Sequence, residues 1–213
     1  AEKELVIDVA QTRKPMGLPK IQHIRELLTM PAVNDQFISR YHRPWTEEDV
    51  AALNLLFEKY LFASLKEYTD PIPGVISTLD RLRDEGLKIG STTGYTREMM
   101  DVVLPAAQVK GYCVDYCATP NLLPAGRPAP YMIFENMIRL AVPSLDTVIK
   151  VGDTIADIKE GVNAKVWSIG VILGSNEMGL TEEETKALPA DELERRMEDV
   201  KNRMLAAGAS YVI

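Results

Sequence analysis

Asp153 and Asp157 stand four residues apart in Val151-Gly152-Asp153-Thr154-Ile155-Ala156-Asp157, directly behind the β-rich run Thr147-Val148-Ile149-Lys150. Carboxylates at the carboxyl end of a strand lie where open α/β sheets bind their ligands. Clustered oxygens suit a hard cation such as Mg²⁺, which takes one or two carboxylates together with substrate phosphate. The same residues also fit a plain strand-to-helix turn, with Asp153 or Thr154 capping the helix that follows. The local residues leave both readings open.

Three other segments carry chemistry-bearing residues. In Gly90-Ser91-Thr92-Thr93-Gly94-Tyr95-Thr96, small hydroxyl residues and a glycine past a strand let backbone N–H groups approach an oxyanion. The start of the next helix adds its positive end. An ordinary turn has the same composition. In Gly126-Arg127-Pro128, Arg127 could hold a phosphoryl or phosphonyl group with a bidentate fork, although a solvated surface arginine is the commoner situation. The fourth segment is Met16-Gly17-Leu18-Pro19-Lys20-Ile21-Gln22-His23. Lys20 falls in the first turn of a helix, where the dipole disfavours a positive charge and lowers the amine's pKa. A neutral amine is what Schiff-base chemistry requires. His23 lies on a neighbouring face of that helix, and Gly17 would let a ligand approach the backbone. Taken alone, Lys20 also reads as a solvated lysine.

These segments need elements to hold them. Residues 1–70 read as helical. Asp8-Val9-Ala10-Gln11 has the form of a capping box. Pro19 sits at the first position of a helix over 20–30 whose apolar face is Ile21, Ile24 and Leu28. Thr46 caps a longer helix carrying Leu53, Phe57, Tyr60, Leu61 and Leu65. Asp70-Pro71-Ile72-Pro73-Gly74 breaks the pattern as a hinge. Beyond it, strands near 87–91, 112–118, 147–151 and 166–173 alternate with helices near 75–86, 97–110, 128–140 and 158–164. Two charged helices, near 181–188 and 191–207, and a strand-like tail at 210–213 close the chain. Alternation of this kind predicts an α/β fold, a parallel sheet with helices on both faces, preceded by a small helical domain. The expected domains are 1–70 and 71–213.

Composition narrows the function classes. The net charge is −7 with no basic block, which argues against nucleic-acid binding. No apolar run approaches the roughly 18 residues of a membrane span, and no signal peptide is visible at the start. Cys113 and Cys117 lack zinc spacing and histidine partners, so they read as buried thiols of a reducing cytoplasm.

In combination the segments resemble one family. Ser-Thr-Thr-Gly-Tyr, then Gly-Arg-Pro, then Val-Gly-Asp-Thr-x-x-Asp is similar to motifs II, III and IV of the haloacid dehalogenase superfamily. The stretch Arg13 to His23 resembles the cap domain of the phosphonoacetaldehyde hydrolases, the phosphonatases. Gly90 to Met100, Ala125 to Pro128 and Gly170 to Glu184 extend the likeness over essentially the whole chain. Arg127, where superfamily relatives usually carry lysine, is itself a phosphonatase-like trait.

The resemblance implies a Rossmann-like core with an α-helical cap, and roles for particular residues. Lys20 would form an imine with the aldehyde of phosphonoacetaldehyde. Met16 and His23 would line the cap side, His23 as a proton carrier, and Tyr95 would reach toward the cap. Thr93, Gly94 and Gly17 would contact substrate, and Arg127 would neutralise the phosphonyl group. Asp153 would bind Mg²⁺, with Asp157 supporting that site. The same resemblance implies a small-molecule phosphonate substrate and a homodimer built through the cap, beside the cytoplasmic location and the lack of nucleic-acid or membrane partners expected from composition. Two alternatives share the motifs: a phosphatase or phosphomutase of the same superfamily, and an inactive phosphonate-binding relative.

One departure stands out. The family's nucleophile lies in Asp-x-Ala-Gly-Thr at the end of an apolar strand that precedes the cap. Val6-Ile7-Asp8-Val9-Ala10-Gln11-Thr12 imitates it, but leaves no room for a cap helix before Lys14-Pro15-Met16-Gly17. Asp8 is therefore expected to cap a helix. The nucleophile, the first strand and a C-terminal helix are expected to be absent from this stretch of sequence, and the 213 residues alone to be inactive and poorly stable.

Overall fold

The structure is a computed structural model that describes residues 4–16, 18 and 20–213. It divides into two compact units, Ala1–Ala63 and Ser64–Ile213. The break falls just ahead of a 3-10 turn, Leu65–Tyr68, a little before the proline-rich segment where the sequence sets it.

The first unit is helical. α1 (Val9–Arg13) starts at Asp8, whose carboxylate accepts from the Gln11 amide at 2.7 Å while Gln11 Oε1 accepts from the Asp8 amide at 2.9 Å. This reciprocal cap is the one the sequence predicts, and it commits Asp8 to the helix end. α2 (Lys20–Thr29), α3 (Pro31–Tyr41) and α4 (Glu47–Ser64) complete the unit. α3 is not foreseen by the periodicity reading, although Pro31 at its first position is a helix-start signal. Thr46 and Asp49 tie off the start of α4: the Thr46 amide and hydroxyl both donate to Asp49 Oδ2, at 2.9 and 3.1 Å. Arg43 donates to both Asp49 oxygens, at 2.6 and 2.8 Å.

Leu28, Val33, Phe37 and Val50 form the core of this unit. Each such burial is worth about 1.5–3 kcal/mol. The expected apolar face of α2 is only partly used. Leu28 is buried and Ile24 packs against the core, but Ile21 is exposed. Phe57 and Tyr60 of α4 are exposed as well. Val33 and Phe37 of α3 supply core positions instead, a tertiary choice that periodicity cannot anticipate.

The second unit alternates helix and strand. In order it runs α5 (Val75–Asp84), β1 (Gly90–Thr92), α6 (Arg97–Val109), β2 (Tyr116–Ala118), α7 (Tyr131–Arg139), β3 (Ile149–Gly152), α8 (Ile155–Ala164), β4 (Trp167–Gly170), α9 (Glu182–Ala187), α10 (Ala190–Ala206) and β5 (Tyr211–Val212). All strand pairs are parallel, as expected for an α/β fold. The single expected sheet is instead two: β1-β2, and β3-β4-β5. β1 and β3 meet through side chains, Lys150 Nζ donating to Thr92 Oγ1 at 2.8 Å, rather than through a backbone ladder. The expected cover on both faces is also incomplete. α8 and α10 bury one side of the larger sheet around Ile158, Val200 and Met204. Ile149, Val151, Trp167 and Tyr211 remain exposed. Among the described residues, no helix is long and apolar enough to cross a membrane. Cys117 is buried as expected, whereas Cys113 is exposed.

Candidate functional site

Two groups of functional side chains emerge, one in each unit. In the first unit Lys20 and His23 open α2. Lys20 Nζ lies 5.8 Å from the ring centroid of Phe57 on α4. Burial lowers the Lys20 pKa by desolvation, in the direction the sequence suggests. His23 is buried, and its Nδ1 has no hydrogen-bond partner among the described residues. Burial and then the neighbouring Lys20 charge lower its pKa, favouring the neutral imidazole. Met16, in the turn ahead of α2, is exposed. Gly17 and Pro19 lie outside the described residues.

In the second unit the loops after β1, before α7 and after β3 come together. After β1, Thr93 Oγ1 accepts from the Tyr95 amide at 3.1 Å, and Gly94 is exposed with open space where a Cβ would stand. Thr96 caps α6. Tyr95 is half-buried, and burial raises its phenol pKa.

After β3, Thr154 caps α8 by accepting from the Asp157 amide at 3.1 Å, and its hydroxyl donates to Asp157 Oδ2 at 2.6 Å. The capped-turn reading of this loop is thus correct for Thr154. It leaves Asp153 outside the cap, half-buried, with Oδ2 accepting from the Asn176 amide at 2.9 Å. Gly152 is required here, because a Cβ would stand 2.2 Å from Asp157 Cβ.

Arg127 joins these loops. Its Nη1 pairs with Asp157 Oδ1 at 2.8 Å, and its Nη2 donates to the Thr92 carbonyl at 2.7 Å and Thr92 Oγ1 at 3.2 Å. Its Nε lies 3.4 Å from Glu160 Oε2. Lys150 Nζ lies 2.8 Å from Asp157 Oδ1 and 3.1 Å from Glu160 Oε2. For Asp157, burial pushes the carboxyl pKa up, but Lys150 and then Arg127 more than offset it, leaving the group below its usual range.

Sequence reading missed Lys150, Glu160 and the part played by Thr92. Glu160 stands three residues after Asp157, hence on the same helix face. That spacing was a usable signal, but nothing in a sequence distinguishes a buried charge from a solvated one.

Both Asp157 oxygens are committed to Arg127, Lys150 and Thr154, so Asp157 fits a supporting role better than a metal ligand. Asp153 fits a single-carboxylate ligand of a hard cation. No group of three or more His, Cys, Asp or Glu side chains gathers for a metal among the described residues.

Known proteins match this arrangement. The haloacid dehalogenase-like hydrolase family matches residues 3–171. A phosphonoacetaldehyde hydrolase of Bacteroides fragilis is 83% identical over 213 residues, covering 100% of this chain and 81% of that protein. One from Parabacteroides distasonis is 59% identical over 212 residues, covering 100% of this chain and 80% of the relative. The crystal structure of a phosphonoacetaldehyde hydrolase-like protein from Oleispira antarctica superimposes with a TM-score of 0.93 at 33% identity, covering 100% of this chain and 77% of that one.

Proposed function

The chain belongs to the haloacid dehalogenase-like hydrolases and, within them, to the phosphonoacetaldehyde hydrolases, and from that premise we propose that its residues cleave the carbon–phosphorus bond of phosphonoacetaldehyde through an imine on Lys20. The observation that carries this reading is the Lys20 amine, whose pKa burial lowers. A phosphatase or phosphomutase with the same core has no use for such an amine.

A P–C bond resists cleavage because the leaving carbanion is poor. Condensation of Lys20 with the aldehyde expels water and leaves a protonated imine. When the P–C bond breaks, its electron pair flows into that imine to give an enamine, while phosphorus passes to a nucleophile. A proton added to the enamine carbon gives back an imine, whose hydrolysis releases acetaldehyde and returns the amine, and water cleaves the phosphorylated nucleophile to release phosphate. His23, neutral and buried, is suited to carry protons during condensation. Met16, exposed in the turn ahead of α2, lines the amine end.

The phosphonyl end falls to the Thr93-Gly94 turn and Arg127. Asp157 anchors the Arg127 guanidinium in the structure, and offering that guanidinium to a phosphonyl oxygen completes the end. Asp153 would hold Mg²⁺, which supplies charge neutralisation at the phosphonyl oxygens and the attacking carboxylate.

The nucleophile is an aspartate that forms an aspartyl-phosphate. Asp8 does not serve, because the capping box holds its carboxylate. A cytoplasmic homodimer completes the reading.

The test is borohydride reduction in the presence of phosphonoacetaldehyde, which needs the amine alone. Covalent labelling maps to Lys20 and is lost in Lys20→Met. Substrate-dependent labelling elsewhere, or none, rejects the imine. Separately, hydrolysis by the 213 residues at an enzyme-like rate would return the nucleophile role to Asp8.

A further inference from the structure

We propose that Glu160 is a positioning residue which, with Lys150 as its counter-ion, fixes Arg127 in the direction from which the guanidinium meets a phosphonyl oxygen. This rests on the phosphonyl-end reading given above and adds two residues to it.

Glu160 has no exposed surface. Its Oε2 receives the Thr92 hydroxyl at 3.1 Å and lies 3.1 Å from Lys150 Nζ and 3.4 Å from Arg127 Nε. Its Oε1 has no hydrogen-bond partner among the described residues. Two nitrogens of the Arg127 guanidinium are held, Nη1 by Asp157 and Nη2 by Thr92, while Nε makes no hydrogen bond among the described residues and faces the Glu160 carboxylate as a charge contact at 3.4 Å. A planar fork with two nitrogens held and the third beside a fixed charge has little freedom left to turn.

The neighbours belong to both loops of the site. Thr92 ends β1 immediately before the Thr93-Gly94 turn, and Asp157 opens α8 after Asp153. Glu160 touches Thr92 and Arg127 together, and so ties the oxyanion turn to the arginine.

The charges balance, two cations against two carboxylates. Without Glu160, Lys150 would be left to Asp157 alone and would compete with Arg127 for it. Buried ion groups of this kind seldom stabilise a fold better than apolar residues of equal volume. A site that must orient a guanidinium is a reason to keep one.

The experiment measures inorganic phosphate binding to the full chain by titration calorimetry, with thermal melting in parallel. Glu160→Gln keeps the shape and removes the charge. Its folded form should lose about tenfold or more in phosphate affinity, the usual scale for a supporting partner of a binding group, and Arg127→Ala should lose at least as much. The double variant Lys150→Met/Glu160→Gln removes both charges, and should melt higher than Glu160→Gln while its affinity stays low. A role in stability alone would restore affinity along with the melting temperature. Glu160→Gln, or the double variant if the single one does not fold, binding phosphate like the wild type overturns the inference. If Arg127→Ala still weakens binding in that case, only the positioning role falls. If Arg127→Ala is also silent, or the wild type binds no phosphate, the phosphonyl-end reading falls and the inference with it.

Discussion

The two units prepare their cations by opposite means. In the helical unit, Lys20 sits near an aromatic ring and burial pushes its pKa down, toward the neutral amine. In the α/β unit, Lys150 and Arg127 are largely buried, and Asp157 and Glu160 stand beside them at 2.8–3.4 Å. A nucleophilic amine must shed its proton, whereas a group that orients phosphonyl oxygens must keep its charge. Burial lowers the basicity of Lys20, whereas two carboxylates stand beside the cations of the α/β unit.

Swapping one lysine for methionine in each unit breaks this comparison most sharply. Lys150→Met leaves the buried Glu160 and Asp157 with one cation too few. It should destabilise by about 3–5 kcal/mol, the cost of stranding a buried charge. Lys20→Met removes a penalised charge and keeps the volume. Its melting should stay within about 1.5 kcal/mol of wild type, while imine trapping disappears. Denaturant unfolding of the two variants measures both, and equal destabilisation would erase the contrast.

A smaller effect is expected at Asp49, which caps α4 and takes a fork from Arg43. The arginine holds this carboxyl well below its usual range. Its stabilisation is therefore complete above the unfolded carboxylate pKa of about 3.9, and is lost as pH falls through the folded value. Asp49→Asn should cost about 1–2 kcal/mol at neutral pH. The gap between variant and wild type should close in acid, as thermal melts from pH 7 down to pH 2 would reveal.

The smallest effect belongs to an exposed counterpart of the buried cluster. Arg25 makes a two-pronged pair with Glu47, at 2.7 and 2.9 Å, with both side chains more than a third exposed. Arg25→Met should leave the denaturant midpoint close to that of the wild type. A cost as large as that of Lys150→Met would show that burial is not what separates the two pairs.

Sequence reading reached the local features and missed those set by tertiary contact. The Asp8–Gln11 box and the Thr154 cap are legible because a few neighbouring residues decide them. The α/β alternation was legible because helix and strand periods differ. α3 was overlooked because Pro31 alone announces it. The division into two sheets escaped notice because strand pairing depends on residues far apart in the chain. Lowered basicity at Lys20 was legible in direction, but its cause, burial, is a property of the folded unit. Lys150 and Glu160 stayed hidden because a charged residue in sequence looks solvated until its surroundings are known.

The most direct test of the account is the Lys20 pKa, followed by NMR of its side-chain methylene signals as pH is raised, with Lys20→Met fixing the assignment. The account predicts a midpoint below the ordinary lysine value of about 10.4. A midpoint at or above that value would contradict it, since Lys20 would then be an ordinary ammonium with no advantage in forming an imine.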